Sequence, residues 1–215
     1  MSSTAVHSNA FNFLSYLQHG VDERTGQYTM SLSLPALKCN ALAGPEFPLA
    51  ISFNPMNTGD DGFGVGWGIG LSEFRERGRQ LSLSTGESFT VTGDSAIPTI
   101  EEKKLDSFHF HIDGGGRYTV VHRSGLVEVL QNGGSGSDIR ALPVQVCGPD
   151  GRRIELAYVP FLGGQRLSSI QEGDGRLLLE VLRSGDNEVE LQFFPGAGAG
   201  SDPMARVVLE LNGDG

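Results

Sequence analysis

Apolar and polar residues alternate with a period of two through most of the chain. Tyr28, Met30, Leu32 and Leu34 are separated by Thr29, Ser31 and Ser33, and Leu49, Ile51 and Phe53 repeat the pattern. Successive side chains of a strand leave opposite faces, so this spacing predicts half-buried strands, the first ended by Pro35 and the second by Asn54-Pro55. Hairpins follow. Leu81 and Leu83 answer Phe89 and Val91 across Ser84-Thr-Gly-Glu87, and Phe108, Phe110 and Ile112 meet a strand over 118–122 across Asp113-Gly-Gly-Gly116. A strand over 126–130 precedes the polar run Asn132-Gly-Gly-Ser-Gly-Ser-Asp138, which reads as a linker. Further strands are expected near 153–158, 167–170, 177–182, 189–193 and 207–211. Only one stretch has a helical period: Ser8-Asn9 can cap a short run carrying Phe13, Leu14, Leu17 and Phe11 or Tyr16, stopped by Gly20. The expected fold class is therefore all-β, with antiparallel hairpins forming a curved sheet and one short N-terminal helix. Three regions are expected: an N-terminal segment (1–20), a β-rich region (21–131) and a set of hairpin repeats (139–215).

The last region repeats itself. Arg166-Leu-Ser-Ser-Ile170 leads to Gly173-Asp174-Gly175, and Arg206-Val-Val-Leu-Glu-Leu211 leads to Gly213-Asp214-Gly215. A looser relative is Gly148-Pro-Asp-Gly151 followed by Arg152-Arg-Ile-Glu-Leu-Ala-Tyr158. Each unit reads as a strand, then a Gly/Asp turn suited to positive φ, then a strand. The second copy stops in its turn, before a returning strand, so Gly215 is expected to be a cut within a longer chain.

Composition sharpens this picture. The 215 residues include 31 Gly and 10 Pro with only 20% charged residues, which suits many short strands joined by tight turns. Sixteen basic against 26 acidic residues give a formal net charge of −10, a surface that repels phosphate backbones and anionic lipid. Nucleic acid is thus an unfavoured partner, and no run is long enough to span a membrane. The start, Met1-Ser-Ser-Thr-Ala-Val-His-Ser-Asn-Ala10, lacks the basic and apolar regions of a cleavable signal. Synthesis in the cytoplasm is expected, with Cys39 and Cys147 reduced and export by a specialised route left open.

Candidate chemistry is thin. Gly62-Phe-Gly-Val-Gly-Trp-Gly-Ile-Gly70 places glycine at every second position, which excludes the G-x-G-x-x-G register of a nucleotide loop. Read as a strand, it puts the glycines on one face and Phe63, Val65, Trp67 and Ile69 on the other, seated in the core. Trp67→Ala is then expected to cost about 3–5 kcal/mol. His109 and His111 leave one face of a strand, but the best hairpin register sends His122 to the opposite face, so zinc lacks a third ligand. The neighbouring carboxylates Asp60-Asp61 and Glu101-Glu102 read as solvated turns. Ser135 lacks the strand-to-helix turn of a G-x-S-x-G nucleophile elbow. Nothing here argues for catalysis, a cofactor or a metal.

Several stretches, in order, resemble bacterial RHS (YD-repeat) proteins. Gly20-Val-Asp-Glu-Arg-Thr-Gly-Gln-Tyr28 resembles the family's opening, with Glu23 where proline is usual. It is followed by Ser31-Leu-Ser-Leu-Pro-Ala-Leu-Lys38, Gly44-Pro45 and Phe53-Asn-Pro-Met-Asn57. Gly62-Phe-Gly-Val-Gly-Trp67 is similar to the family's "GFGxGW" signature, and 83–87 and 118–128 extend the likeness, which covers roughly residues 11 to 215. Its nearest look is to the amino-terminal part of pseudomonad RHS proteins and of the C component of insecticidal Tc toxins. The resemblance implies a β-ribbon that spirals into a hollow shell around a C-terminal toxin. The self-cleaving aspartate segment and the toxin of that family have no counterpart in these 215 residues, and strict Tyr-Asp repeats are absent.

Together these readings predict a non-catalytic N-terminal part of a toxin carrier that forms or caps the β-shell. Its implied partners are the rest of the shell, the enclosed toxin, and a toxin-complex or secretion-system component. Gly62, Phe63, Gly64, Gly66 and Trp67 are its expected structural residues. The alternative is a stand-alone β-sandwich module binding carbohydrate or a protein surface.

Overall fold

The computed structural model describes residues 16–21, 26–37, 44–45, 47–101, 103, 105–136, 139–185, 187–196 and 202–211. Seventeen strands lie among them. The first four are β1 (Leu17–Val21), β2 (Tyr28–Ser33), β3 (Ala50–Phe53) and β4 (Trp67–Ile69), which form one antiparallel sheet in the order β1-β2-β3-β4. The next seven are β5 (Glu73–Arg75), β6 (Gln80–Ser82), β7 (Ser88–Thr92), β8 (Thr99–Ile100), β9 (Phe108–Gly114), β10 (Arg117–His122) and β11 (Val127–Gly133). They share a second sheet with β12 (Arg140–Cys147), β13 (Arg153–Phe161), β14 (Gly164–Glu172), β15 (Leu177–Ser184), β16 (Glu188–Phe193) and β17 (Ala205–Glu210). From β12 to β17 each strand pairs with the next in sequence, so this half is a ribbon built hairpin by hairpin. The protein is all-β and antiparallel, and its sheets do not close into a barrel.

One turn geometry recurs in this second sheet. At Leu83, His122, Gly148 and Glu172 the backbone amide donates to the carbonyl four residues on, at 2.8–2.9 Å. The carbonyl of the same residue accepts from a glycine three residues on: Gly86, Gly125, Gly151 and Gly175. Each of these glycines has φ between +80° and +91°, a conformation glycine adopts without strain. In two of the turns the preceding aspartate fixes the loop further. Asp150 accepts from the Arg152 amide at 3.2 Å, and Asp174 from the Arg176 amide at 3.1 Å.

Two expectations need correction. The helix stopped by Gly20 lies mostly outside the described residues, but Leu17 to Gly20, where it reaches them, belong to β1 and pair with 29–32 of β2. Cross-strand pairing overrides the weak local helical period there. The stretch 132–138 was expected as a linker; of its described residues, 132–136, Asn132 and Gly133 belong to β11 and pair with Ala141 and Arg140 of β12, one end of a ladder in which seven residues of β11 find partners.

The boundary expected near residue 131 therefore runs through a hairpin, and the core divides elsewhere. A larger core joins Leu34, Leu37, Leu49, Ile51 and Phe63 of the amino-terminal third to Val146, Ile154, Ile170, Leu179, Val189 and Phe193 of the ribbon. A smaller core holds Phe74, Leu81, Phe108, Phe110, Tyr118 and Leu130. β12 belongs to both. One edge carries β11, while the other is shared between β5, at Ala141↔Phe74, and β13, at 145–147. The Tyr158 hydroxyl donates to the Pro143 carbonyl at 2.7 Å, beyond the last β12–β13 ladder pair.

Candidate functional site

The loop 54–66 holds Gly62, Phe63, Gly64 and Gly66, four of the five expected structural residues, together with Asp60 and Asp61. Asparagine and aspartate side chains fold it locally. Asn54 accepts from the Met56 amide, Asn57 from the Gly59 amide, and Asp60 Oδ1 from both Gly62 and Gly64 amides at 2.7 and 2.9 Å. Gly62, Gly64 and Gly66 have φ of +99°, +102° and +80°. The expected continuous strand is thus confined to Trp67–Ile69, because three successive left-handed glycines cannot extend a ladder.

The facing pattern changes with it. Phe63 is buried in the larger core at 2% exposure, but Val65, expected beside it, is 59% exposed. Trp67 and Ile69 are half-buried at the core's rim, with the Trp67 ring 5.3 Å from that of Phe53. Because Trp67 keeps part of its surface in water, Trp67→Ala is expected to cost about 2 kcal/mol, less than the 3–5 kcal/mol expected for a fully buried ring.

Contacts from distant strands explain why glycine occupies these positions. A Cβ on Gly62 would stand 2.8 Å from Cβ of Arg166, and one on Gly66 would stand 2.7 Å from the Phe53 ring. The loop rests on arginines of the ribbon. Arg140, at 12% side-chain exposure, pairs with Asp61 at 2.5 Å, approaches Glu73 at 3.7 Å and donates to the Gln165 carbonyl at 3.2 Å. Arg183 donates to the Gly62 carbonyl at 3.3 Å. Asp60 and Asp61, read from sequence as a solvated turn, thus have separate tasks: one shapes the loop and the other fastens it to β12. Beside this junction lies a cleft of about 530 Å³ lined by Asn57, Asp60, Val65, Arg140, Phe161 and Leu162.

A second polar group lies deep in the other half. Glu128, 2% exposed, accepts from Ser72 at 3.0 Å and stands 2.6 Å from Nε2 of His122; Ser72 in turn accepts from the Ser84 amide. Glu128 pairs with Val120 of the smaller core on one side and Val146 of the larger core on the other. It therefore marks the seam between the two. Ser72 and His122 both meet the same carboxylate oxygen, Oε1, so Glu128 ties the two side chains into one polar cluster. Sequence reasoning passed over this cluster, although a lone charge in Leu126-Val-Glu-Val-Leu130 was a usable signal.

The other candidates are dispersed. His109 and His111 pair with Val121 and Thr119, while His122 pairs with Phe108 on the opposite face. Tyr118 and Val120 pair with Ile112 and Phe110, a register two residues from the expected match with Phe108 and Phe110 that leaves the facing unchanged. His109 is exposed, 3.7 Å from Asp106. Among the described residues no three His, Cys, Asp or Glu side chains are placed to hold a metal. Ser135 bonds the Gly163 carbonyl at the β13–β14 tip through both its amide and its hydroxyl. Cys147 is a free thiol, whereas Cys39 and Glu102 lie outside the described residues. No helix among the described residues is long and apolar enough to cross a membrane.

No family model matches this chain, and none of the curated proteins matches it. Among solved structures it is similar to the N-terminal domain of the effector protein SpvB from Salmonella typhimurium strain LT2. The two share 13% identity at a TM-score of 0.45, over 78% of this chain and 74% of that one. That distance is too great for the likeness to carry function. The RHS resemblance stands on the residues quoted for it.

Proposed function

We propose that this chain is the amino-terminal, non-catalytic part of an RHS-type toxin carrier, where it forms or caps a β-shell around a C-terminal toxin. The observation that carries the reading is the ribbon itself. Six strands, β12 to β17, pair strictly in sequence order, and two of their turns, at 148–152 and 172–176, are the same Gly/Asp turn. Such a ribbon lengthens by repeating one local unit, with each strand needing only its neighbours, which is what a wall made from a single chain requires. The amino-terminal sheet covers one face of the ribbon through the larger core, as a cap would. The partners in this reading are further shell hairpins, the enclosed toxin and a toxin-complex or secretion-system component, with delivery by a specialised export route.

The size of the native gene product tests this. An antibody raised against residues 1–215 is expected to detect a band many times larger than 22.9 kDa in extracts of the source organism, accompanied by a smaller processed partner. A single band near 22.9 kDa would overturn the carrier reading. The alternative, a binding module, draws on the cleft of about 530 Å³ beside Phe161 and Leu162, and it would then lead.

A further inference from the structure

Among the described residues β17 pairs with β16 alone, so its other side is an open sheet edge. Ala205, Val207 and Leu209 pack against the larger core without being fully covered, while Arg206, Val208 and Glu210 are exposed on the other face. The pairing with β16 fixes which backbone groups are free. The Leu211 amide donates to the Asn187 carbonyl at 2.7 Å, continuing the register that sets Glu210 opposite Glu188 and Val208 opposite Glu190. The alternation of an antiparallel ladder then turns the amides and carbonyls of Val207 and Leu209 toward β16, and those of Arg206, Val208 and Glu210 out of the sheet edge. These outward groups are a template for one more strand. The side chains beside them carry opposite charges. Glu210 faces Glu188, a like charge directly across the ladder, and Arg206 meets Glu190 through Nε at 2.6 Å with 54% of its side-chain surface exposed.

We propose that the β17 edge binds a second copy of this chain, the two β17 strands pairing antiparallel about Val208. Charge selects this register from those that the outward amides allow. Centring on Arg206 or on Glu210 sets like charges opposite each other, and centring on Val207 or Leu209 sets Val208 opposite a charge. Centring on Val208 sets Arg206 opposite Glu210 of the second copy twice over, and each of these pairs exchanges two backbone hydrogen bonds. It gives Glu210 a cation on the side away from Glu188. On the other face Val207 meets Leu209 of the second copy, which extends the incompletely covered rim of the larger core across the junction. The contact is isologous, so it closes at two chains. A dimer of this kind does not depend on the carrier reading: a hairpin of a longer native product that covered β17 would displace the second copy there, while the 215-residue chain would still pair.

The test is a charge swap read by analytical ultracentrifugation of the 215-residue chain under reducing conditions. The unaltered chain is expected to form a concentration-dependent dimer. Glu210→Arg sets arginine against arginine at both ends of the junction and should weaken the dimer at least about tenfold, although it relieves the contact with Glu188 within the protomer. Arg206→Glu should weaken it similarly. An equimolar mixture of these two variants should dimerise again, because every charge at the junction then meets its opposite. Should Arg206→Glu fail to fold beside Glu190, hydrogen exchange of the unaltered chain and of Glu210→Arg decides instead. The amides of Arg206, Val208 and Glu210 should be protected in the concentrated unaltered chain and lose that protection in the variant. A monomeric unaltered chain, open-ended aggregates in place of a dimer, an undiminished dimer in Glu210→Arg, or no recovery on mixing the folded variants would overturn the proposal.

Discussion

Two regions of this protein are rich in glycine and use it in opposite ways. In the hairpin turns at 83–87, 148–152 and 172–176, one glycine closes a loop whose closing hydrogen bonds lie within five residues. At Gly86, Gly151 and Gly175 a Cβ would meet no atom within 4 Å, so only the backbone angle requires glycine there. In the loop 62–66 the angles are similar, but at Gly62 and Gly66 a Cβ would also collide with Arg166 or Phe53, brought from elsewhere in the chain. The first kind of glycine is decided locally and can be repeated along a ribbon. The second kind is decided by tertiary contact: Gly62 fits the loop against the ribbon at Arg166, and Gly66 fits it against Phe53 of the amino-terminal sheet.

Substitutions can break this comparison, and the largest effects should come from the fitted region. Phe63 is the loop's anchor in the larger core, and Phe63→Ala should cost about 3–5 kcal/mol by urea unfolding. A loss below about 1 kcal/mol would show that the loop is not seated there. Glu128→Ala should cost a similar 3–5 kcal/mol, because it strands the buried Ser72 hydroxyl and the half-buried His122 at the seam between the cores. Glu128→Gln should recover part of that loss, and an equal loss in both variants would remove the hydrogen-bonding explanation. Gly66→Ala combines a positive φ with a clash against the Phe53 ring, and about 2–4 kcal/mol is expected. Gly175→Ala has only the positive φ to contend with, and about 1–2 kcal/mol is expected. If the two glycine variants melted at the same temperature, the distinction between local and fitted glycines would fall.

The same distinction explains what could be read from the sequence. Strands such as Tyr28–Ser33 and Ala50–Phe53, and the pairing of Leu81 with Phe89, follow from alternation and a nearby turn. The face taken by His122 was legible for that reason too, since Tyr118 and Val120 fix which side each residue takes even though the pairing lies two residues from the expected one. The stretch 62–70 was misread because its period of two is also that of a strand. Nothing in its own sequence announces that Asp60 captures two glycine amides or that Arg140 holds Asp61. The linker expected over 132–138 begins inside β11, at Asn132 and Gly133, because a polar Gly/Ser stretch has one composition whether it separates two domains or ends a strand. The partition into two cores was hidden because β12 contributes to both.

The direct test of the carrier reading is the shape of the native gene product, isolated through an antibody to residues 1–215 and viewed by negative-stain electron microscopy. The reading predicts a particle much larger than a 22.9 kDa domain, with a stain-excluding wall around an enclosed cavity. A small solid particle, or an extended assembly with no enclosed space, would contradict it.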